Sequence, residues 1–329
     1  MSRTQTEELK TFIRTTARFA VFTACFYFIG LVLGALLFPS LMKNVNFALG
    51  SPGHLHTRLR EVKSYGAVDV LFIGSSHAYR GFDPRIFSQI GLKSFVLGSS
   101  AQTPIQTEIL VDRYLDSLKP KTVVFEVHPG ILQADGVESG LDLIANDEID
   151  IRTIKMALQL KNIRIFNTLL YGLFRNALSL DDDFREKERR GTDQYIPGGF
   201  VERVASDYRD PELPKQREWK PVSYQIEAFE RVLRRLTDRQ IAVILVWAPV
   251  SAPYYHSYSN NEVMDAYFQS LYARSLCDAY YNFNQLLALQ DRMHFYDGHH
   301  LNQAGVEVFN RHLARLLTDK PEFLQLGRR

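Results

Sequence analysis

Residues 68–84 read VDVLFIGSSHAYRGFDP, and the fold turns on the apolar run from Val68 to Ile73 and the glycine that stops it. A short apolar run ended by glycine has the form of a strand buried on both faces of a parallel sheet. Working outward, Ser94–Leu97 repeats the pattern and is closed by Gly98, and KTVVFEV at 121–127 is a third such run. IAVILVWAP at 241–249 is a fourth, and Tyr280–Phe283 a short fifth. Helical spacing separates them, over Pro104–Leu118, Ser223–Asp238, Asn261–Cys277 and a closing helix at Asn302–Leu317 begun by a good N-cap residue. Strands alternating with helices predict an α/β fold, a three-layer α/β/α domain around a mainly parallel five-stranded sheet. Ligands of such sheets sit at the carboxyl ends of the strands, here residues 74–77, 98–103 and 128–130.

The N-terminus is of another kind. FAVFTACFYFIGLVLGALLF, Phe19–Phe38, runs twenty residues without a charge, enough helix to cross a bilayer's hydrocarbon core. Arg3, Lys10, Arg14 and Arg18 precede it and only Lys43 follows closely, which puts the N-terminus in the cytoplasm and the rest outside. The run is too long for a signal peptide's apolar region, and FPSLMKNV lacks a small-residue cleavage site. The expected division is a cytoplasmic tail at 1–18, a transmembrane helix at 19–38, a linker at 39–65 and one domain at 66–329. That domain carries a helical insertion at about 140–220, amphipathic at first and then charged, placed over the sheet as a lid or a packing elaboration. A net charge of +2 in 329 residues, from 39 basic and 37 acidic side chains, gives no electrostatic case for nucleic acid. Two distant cysteines, Cys25 and Cys277, make no disulfide framework.

The chemistry-bearing residues stand at both ends of the sheet domain. A serine hydroxyl needs a base to take its proton, and the base works best when a third group orients it. FYDGHHLNQAG, 295–305, places Asp297 three residues before His300 at the start of the last helix. On a turn, that spacing lets the carboxylate hold one ring nitrogen while the other faces a serine at a neighbouring strand end.

In order and position these residues resemble the SGNH (GDSL) hydrolase superfamily over residues 66–317, apart from the insertion. The family's Gly-Asp-Ser-Leu block is similar to GSSH at 74–77, which implies Ser76 as nucleophile. FVLGSSAQ supplies the second block's glycine, Gly98, and DGHHLN the last block, with Asp297 and His300 completing a triad and His299 outside it. The resemblance implies an SGNH/flavodoxin-like sheet, no cofactor, no metal, and an oxyanion hole from the backbone N–H groups of Ser76 and Gly98. The third block departs: FEVHPG stands where an Asn is usual, so His128 is the available substitute, with a structural histidine as the plainer reading. His77, with its side chain expected to point away, and Arg80, with a surface role as its plainer reading, complete the candidate substrate contacts. An anchored, outward-facing domain of this kind resembles the D-alanyl-transfer proteins of teichoic acid modification and the O-acetyltransfer proteins of exopolysaccharide assembly. They imply an acylated cell-envelope glycan or related small ester as substrate and an envelope acyl-donor protein as partner.

Three alternatives use the same residues differently. A metal-dependent hydrolase can be drawn from His294, Asp297, His299, His300 and His128, but it leaves Ser76 without a role. An α/β-hydrolase approximates its nucleophile elbow in GSSHA, but takes its acid and base from separate loops. A non-catalytic SGNH-like binding module of an envelope assembly accounts for the missing Asn and leaves Ser76, Asp297 and His300 unexplained.

Overall fold

The structure, a computed structural model, describes residues 3–43, 45–46, 49–204, 208–209 and 216–325. Its first helix, α1, runs over Arg3–Leu37, and α2 over Ser51–Tyr65. Strand β1, Val70–Gly74, leads into the one-and-a-half-turn helix α3, Ser76–Gly81; β2 is Ser94–Gly98. Helix α4, Pro104–Leu118, returns the chain to β3, Thr122–Glu126. Every residue of these three strands is buried, as parallel strands covered on both faces must be. Three helices follow, α5 over Val137–Asn146, α6 over Ile151–Leu160 and α7 over Ile163–Ala177. A small antiparallel sheet comes next, β4 Arg189–Arg190, β5 Asp193–Ile196 and β6 Phe200–Arg203. Helix α8, Ser223–Asp238, then precedes β7, Ala242–Trp247, and α9, Asn261–Ala273, precedes β8, Ala279–Asn282. The closing helix α10, Gln303–Asp319, begins where the Asn302 side chain accepts the Gly305 N–H.

The main sheet has the order β2-β1-β3-β7-β8, all parallel. β1 sends Leu71 and Ile73 into the core shared with α2, α4, α8 and α9, and Val70 and Phe72 into the core shared with α3 and α10. The expected three-layer fold is therefore present. The chain leaves β1 toward β2 on one side and returns to β3 on the other, so the ends of these strands border a crevice where order reverses.

Two stretches differ from expectation. Within the expected linker 39–65, α2 inserts Leu55, Leu59 and Val62 into the core, and its fully buried Arg58 donates to the carbonyls of Gly53, Gly98 and Gly199. The insertion is helical only in its first part; its charged second part includes the β4–β6 hairpin sheet. The YIPGGF stretch, residues 195–200, is docked on the sheet edge: the Val96 N–H of edge strand β2 donates to the Gly198 carbonyl at 2.8 Å. Glu61 of α2 holds the same turn through the Gly198 N–H and the Tyr195 hydroxyl. An edge strand is thereby closed against pairing with another chain. Gly199, at φ +90°, has no room for a side chain, since a Cβ there would stand 2.2 Å from the Val96 carbonyl oxygen.

Helix α1 carries its apolar side chains exposed for most of its length and is long and apolar enough to cross a membrane. Its last turns touch α7: the Tyr27 hydroxyl donates to Asn167, Phe28 meets Phe174 edge-on, and Leu31 and Ala35 pack with Tyr171.

The docked turn yields a stability test. Gly199→Ala combines a disfavoured φ with a backbone clash, and should cost about 2–4 kcal/mol in urea unfolding. An unchanged midpoint would show that the hairpin does not need this close approach.

Candidate active site

The site begins with a charge under a strand end. Gly74, the last residue of β1, has φ +145°, and a Cβ there would stand 2.8 Å from the Glu126 Cβ. Only without one does β3's final residue slide beneath β1. The fully buried Glu126 then accepts from the Ser75 N–H at 3.1 Å and the Ser75 hydroxyl at 2.8 Å, while its other oxygen takes the His128 N–H at 2.6 Å. Ser75 in turn caps α3 by accepting the His77 N–H, which makes Ser76 the first residue of that helix. A first-turn N–H has no intrahelical acceptor.

The second part arrives from the turn before α10. One Asp297 oxygen accepts the N–H groups of His299 and His300 at 2.9 and 2.8 Å, which leaves the other free for the His300 ring at 2.9 Å from Nδ1. The loop after β7 steadies this turn: the Ser251 N–H and hydroxyl both donate to the Gly298 carbonyl. His300 Nε2 then lies 2.8 Å from Ser76 Oγ. Since Asp297 can only accept, Nδ1 carries the ring proton and Nε2 is the acceptor for the serine hydroxyl. Tyr296 stacks on the His300 ring at 5.5 Å with 5° between planes.

A second chain of contacts lies beside the first. His77, expected to point away, turns inward, with Nδ1 3.1 Å from Ser75 Oγ and Nε2 3.1 Å from His299 Nδ1. His128 stacks on His77 at 4.1 Å and 9°. The Gly130 N–H donates to His128 Nδ1, so the proton is on Nε2, which has no protein partner among the described residues. Arg80 is not a surface group: it forks onto Asp193 of β5 at 3.0 and 2.7 Å and lies over the rings of Tyr79 and Tyr296.

Burial sets the charges here. It drives the imidazoles of His77 and His128 well below their ordinary range and lowers His300, against the pull of Asp297. His299 falls to about 3, through burial and then the field of His300. Burial alone would raise Asp297, but the bond from His300 and its charge outweigh it and hold the carboxyl below the usual range. Glu126 goes the other way, raised by burial to about 7 despite its bonds from Ser75 and His128.

These groups open on a cavity of about 380 Å³ at the carboxyl ends of β1 and β3. Ser76, His77, Arg80, His128 and His300 all line it, and Asp297 stands directly behind His300. Gly98 does not line it: it pairs with Gly74 on the last rung of the sheet, and its carbonyl is taken by Arg58. Ser100 and Ala101 line the cavity in its place, Ala101 at φ +48°. His294 is on the outer side of its turn with Nδ1 against Gln290, away from the other histidines. Sequence reasoning also missed Glu126, Asp193 and the His77–His299 contact. For Glu126 a signal was present, since a carboxylate ending an otherwise apolar buried strand must find donors.

No protein-family model and no curated protein matches this sequence. Among solved structures the chain is similar to a GDSL-like lipase from Bacteroides thetaiotaomicron, at 11% identity and a TM-score of 0.40, over 78% of this chain and 90% of that one. It is also similar to a protein assigned as an acylhydrolase from Bacteroides fragilis, at 11% identity and a TM-score of 0.37, over 84% and 99%. Likenesses this loose leave the chemistry to the site's own geometry.

Glu126 offers a test by pH. Its folded pKa of about 7 lies above the ordinary 4.5, so the folded state holds the proton more tightly and this group's contribution to stability falls as pH rises between those values. Glu126→Gln cannot titrate and sets an amide against the donors of Ser75. It should be less stable than the parent at pH 5 by roughly 1–3 kcal/mol, with the gap narrowing toward pH 8. A gap that widens with pH would reverse the assignment.

Proposed function

We propose that this chain is a membrane-anchored serine esterase or acyltransferase of the SGNH type, acting through an acyl-Ser76 intermediate on an acylated cell-envelope glycan or a related small ester. The carrying observation is the unbroken chain Ser76 Oγ–His300 Nε2, 2.8 Å, and His300 Nδ1–Asp297 Oδ2, 2.9 Å, at the mouth of a cavity. Ser76 Oγ attacks the acyl carbonyl carbon as its proton passes to His300 Nε2. The tetrahedral oxyanion collapses, the bond to the leaving alkoxide breaks, and His300 returns the proton to that oxygen. Water or an acceptor hydroxyl then repeats the sequence in reverse, giving hydrolysis or transfer. Asp297 fixes the tautomer and stabilises the imidazolium in both halves.

The backbone N–H groups of Ser76 and Ala101 serve as oxyanion donors in this reading, with the Nε2–H of His128 as the side-chain donor where the family has Asn. Arg80, charged and clamped by Asp193, orients an anionic or hydroxyl-rich substrate part. The anchor is the uncharged stretch Phe19–Phe38 of α1, with the basic flank in the cytoplasm and the catalytic domain outside. The exposed Ile163 and Leu173 of α7, apolar groups suited to a membrane surface, support it. An envelope acyl-donor protein is the partner this arrangement calls for. A purely binding role leaves the aligned serine, imidazole and carboxylate without a use.

A fluorophosphonate probe applied to the full chain in detergent should label the parent and not Ser76→Ala. Asp297→Asn should slow labelling on the order of a thousandfold or more. Labelling that survives Ser76→Ala would sink the nucleophile assignment. Acylated small esters supplied with and without carbohydrate acceptors then separate transfer from hydrolysis.

A further inference from the structure

The same cavity holds a cluster of histidines of which the serine chemistry uses only His300. One ring nitrogen from each of His77, His299 and His300 lies within 4.8 Å of the other two. We propose that these three imidazoles form a binding site for a divalent transition metal of the zinc class, and that an ion bound there draws His300 away from Ser76.

The donor set fits such an ion. Zinc takes imidazole nitrogens at about 2.0–2.1 Å in tetrahedral array, which sets its ligands roughly 3.4 Å apart. His77 Nε2 and His299 Nδ1 already stand 3.1 Å apart, so modest ring rotations are enough. Three imidazoles without a carboxylate favour zinc, cobalt or copper over magnesium or calcium. Two of the imidazoles are also oriented as metal ligands usually are, with the far ring nitrogen donating to a carboxylate or its relay. His300 donates from Nδ1 to Asp297, which directs the lone pair of Nε2 inward. His77 does the same at one remove. Ser75 Oγ gives its single proton to Glu126, so the ring nitrogen 3.1 Å from that oxygen must be a donor, and His77 Nε2 carries the inward lone pair.

His299 completes the set by a change of tautomer. In the metal-free protein its Nδ1–H donates to His77 Nε2. On binding, the proton is carried on Nε2 instead and Nδ1 becomes a ligand, with no net proton released. The fourth position goes to water. Since His300 Nε2 is the atom that accepts from Ser76, metal and serine compete for one lone pair. The inhibition that follows rests on the serine reading; the metal site itself does not.

The two are separated by measuring each directly. Co²⁺ titrated into the full chain in detergent should give the visible absorption of a tetrahedral centre at one equivalent and lose it to Zn²⁺. His77→Gln and His299→Gln should each weaken Co²⁺ binding roughly a hundredfold or more, while Ser76→Ala retains it; circular dichroism checks that both glutamine variants fold. Absence of the tetrahedral absorption, or its survival in both folded variants, overturns the site. In parallel, Zn²⁺ should slow fluorophosphonate labelling of the parent, with recovery in EDTA. A Co²⁺ centre with no labelling under any condition upholds the metal site and defeats the serine reading; labelling untouched by a bound ion overturns the shared use of His300.

Discussion

The carboxylate of Glu126, buried where β1 and β3 end, is the constraint on which the rest of the site depends. A charged group in that position is costly unless its oxygens are filled by donors, and here three donors come from two strand ends. Satisfying it bends the chain after Gly74 so that Ser75 caps α3 and Ser76 starts it. The same carboxylate holds the His128 N–H, which sets that ring against His77. One buried group therefore fixes a serine, two histidines and the start of a helix.

The opposite wall depends on backbone packing between distant segments. Arg58 joins α2, β2 and the hairpin turn through three carbonyls, and Gly199 lets that turn lie flat on the sheet edge. From this base β5 carries Asp193 to Arg80. The insertion thus closes an open sheet edge and holds a cation at the rim of the cavity. Its helical part, α5 to α7, reaches instead toward α1, so one inserted segment serves both the site and the N-terminal helix.

Four histidines in one cavity are an unusual expenditure of polar groups in a small volume. Ring stacking of His77 on His128 and of Tyr296 on His300 limits how each can turn, and burial keeps them neutral. Neutral imidazoles present one donor and one acceptor each; Asp297 decides which nitrogen of His300 faces the cavity, and Glu126, through Ser75, decides it for His77. Directed lone pairs serve proton transfer and metal ligation alike.

The sequence by itself determined the alternation of strands and helices, because apolar periodicity reports burial directly, and it determined the long uncharged N-terminal helix. It also singled out Ser76, Asp297 and His300, which the fold brings within hydrogen-bond reach of one another. Asp297 and His300 meet through a local turn, and the serine follows a strand whose end was legible in Gly74. The rest depended on contacts between segments far apart in the chain. Ser75 meets Glu126 across 51 residues, Arg80 meets Asp193 across 113, and His77 meets His299 across 222. No periodicity records such meetings, so His77 was misdirected and Arg80 was readable as a surface group. Gly98 was placed in the cavity because a motif marks a position in the chain, while the sheet's register decides which residue after the strand faces the crevice. Only the tertiary structure decided these, since the direction of a side chain is set by what packs against its backbone.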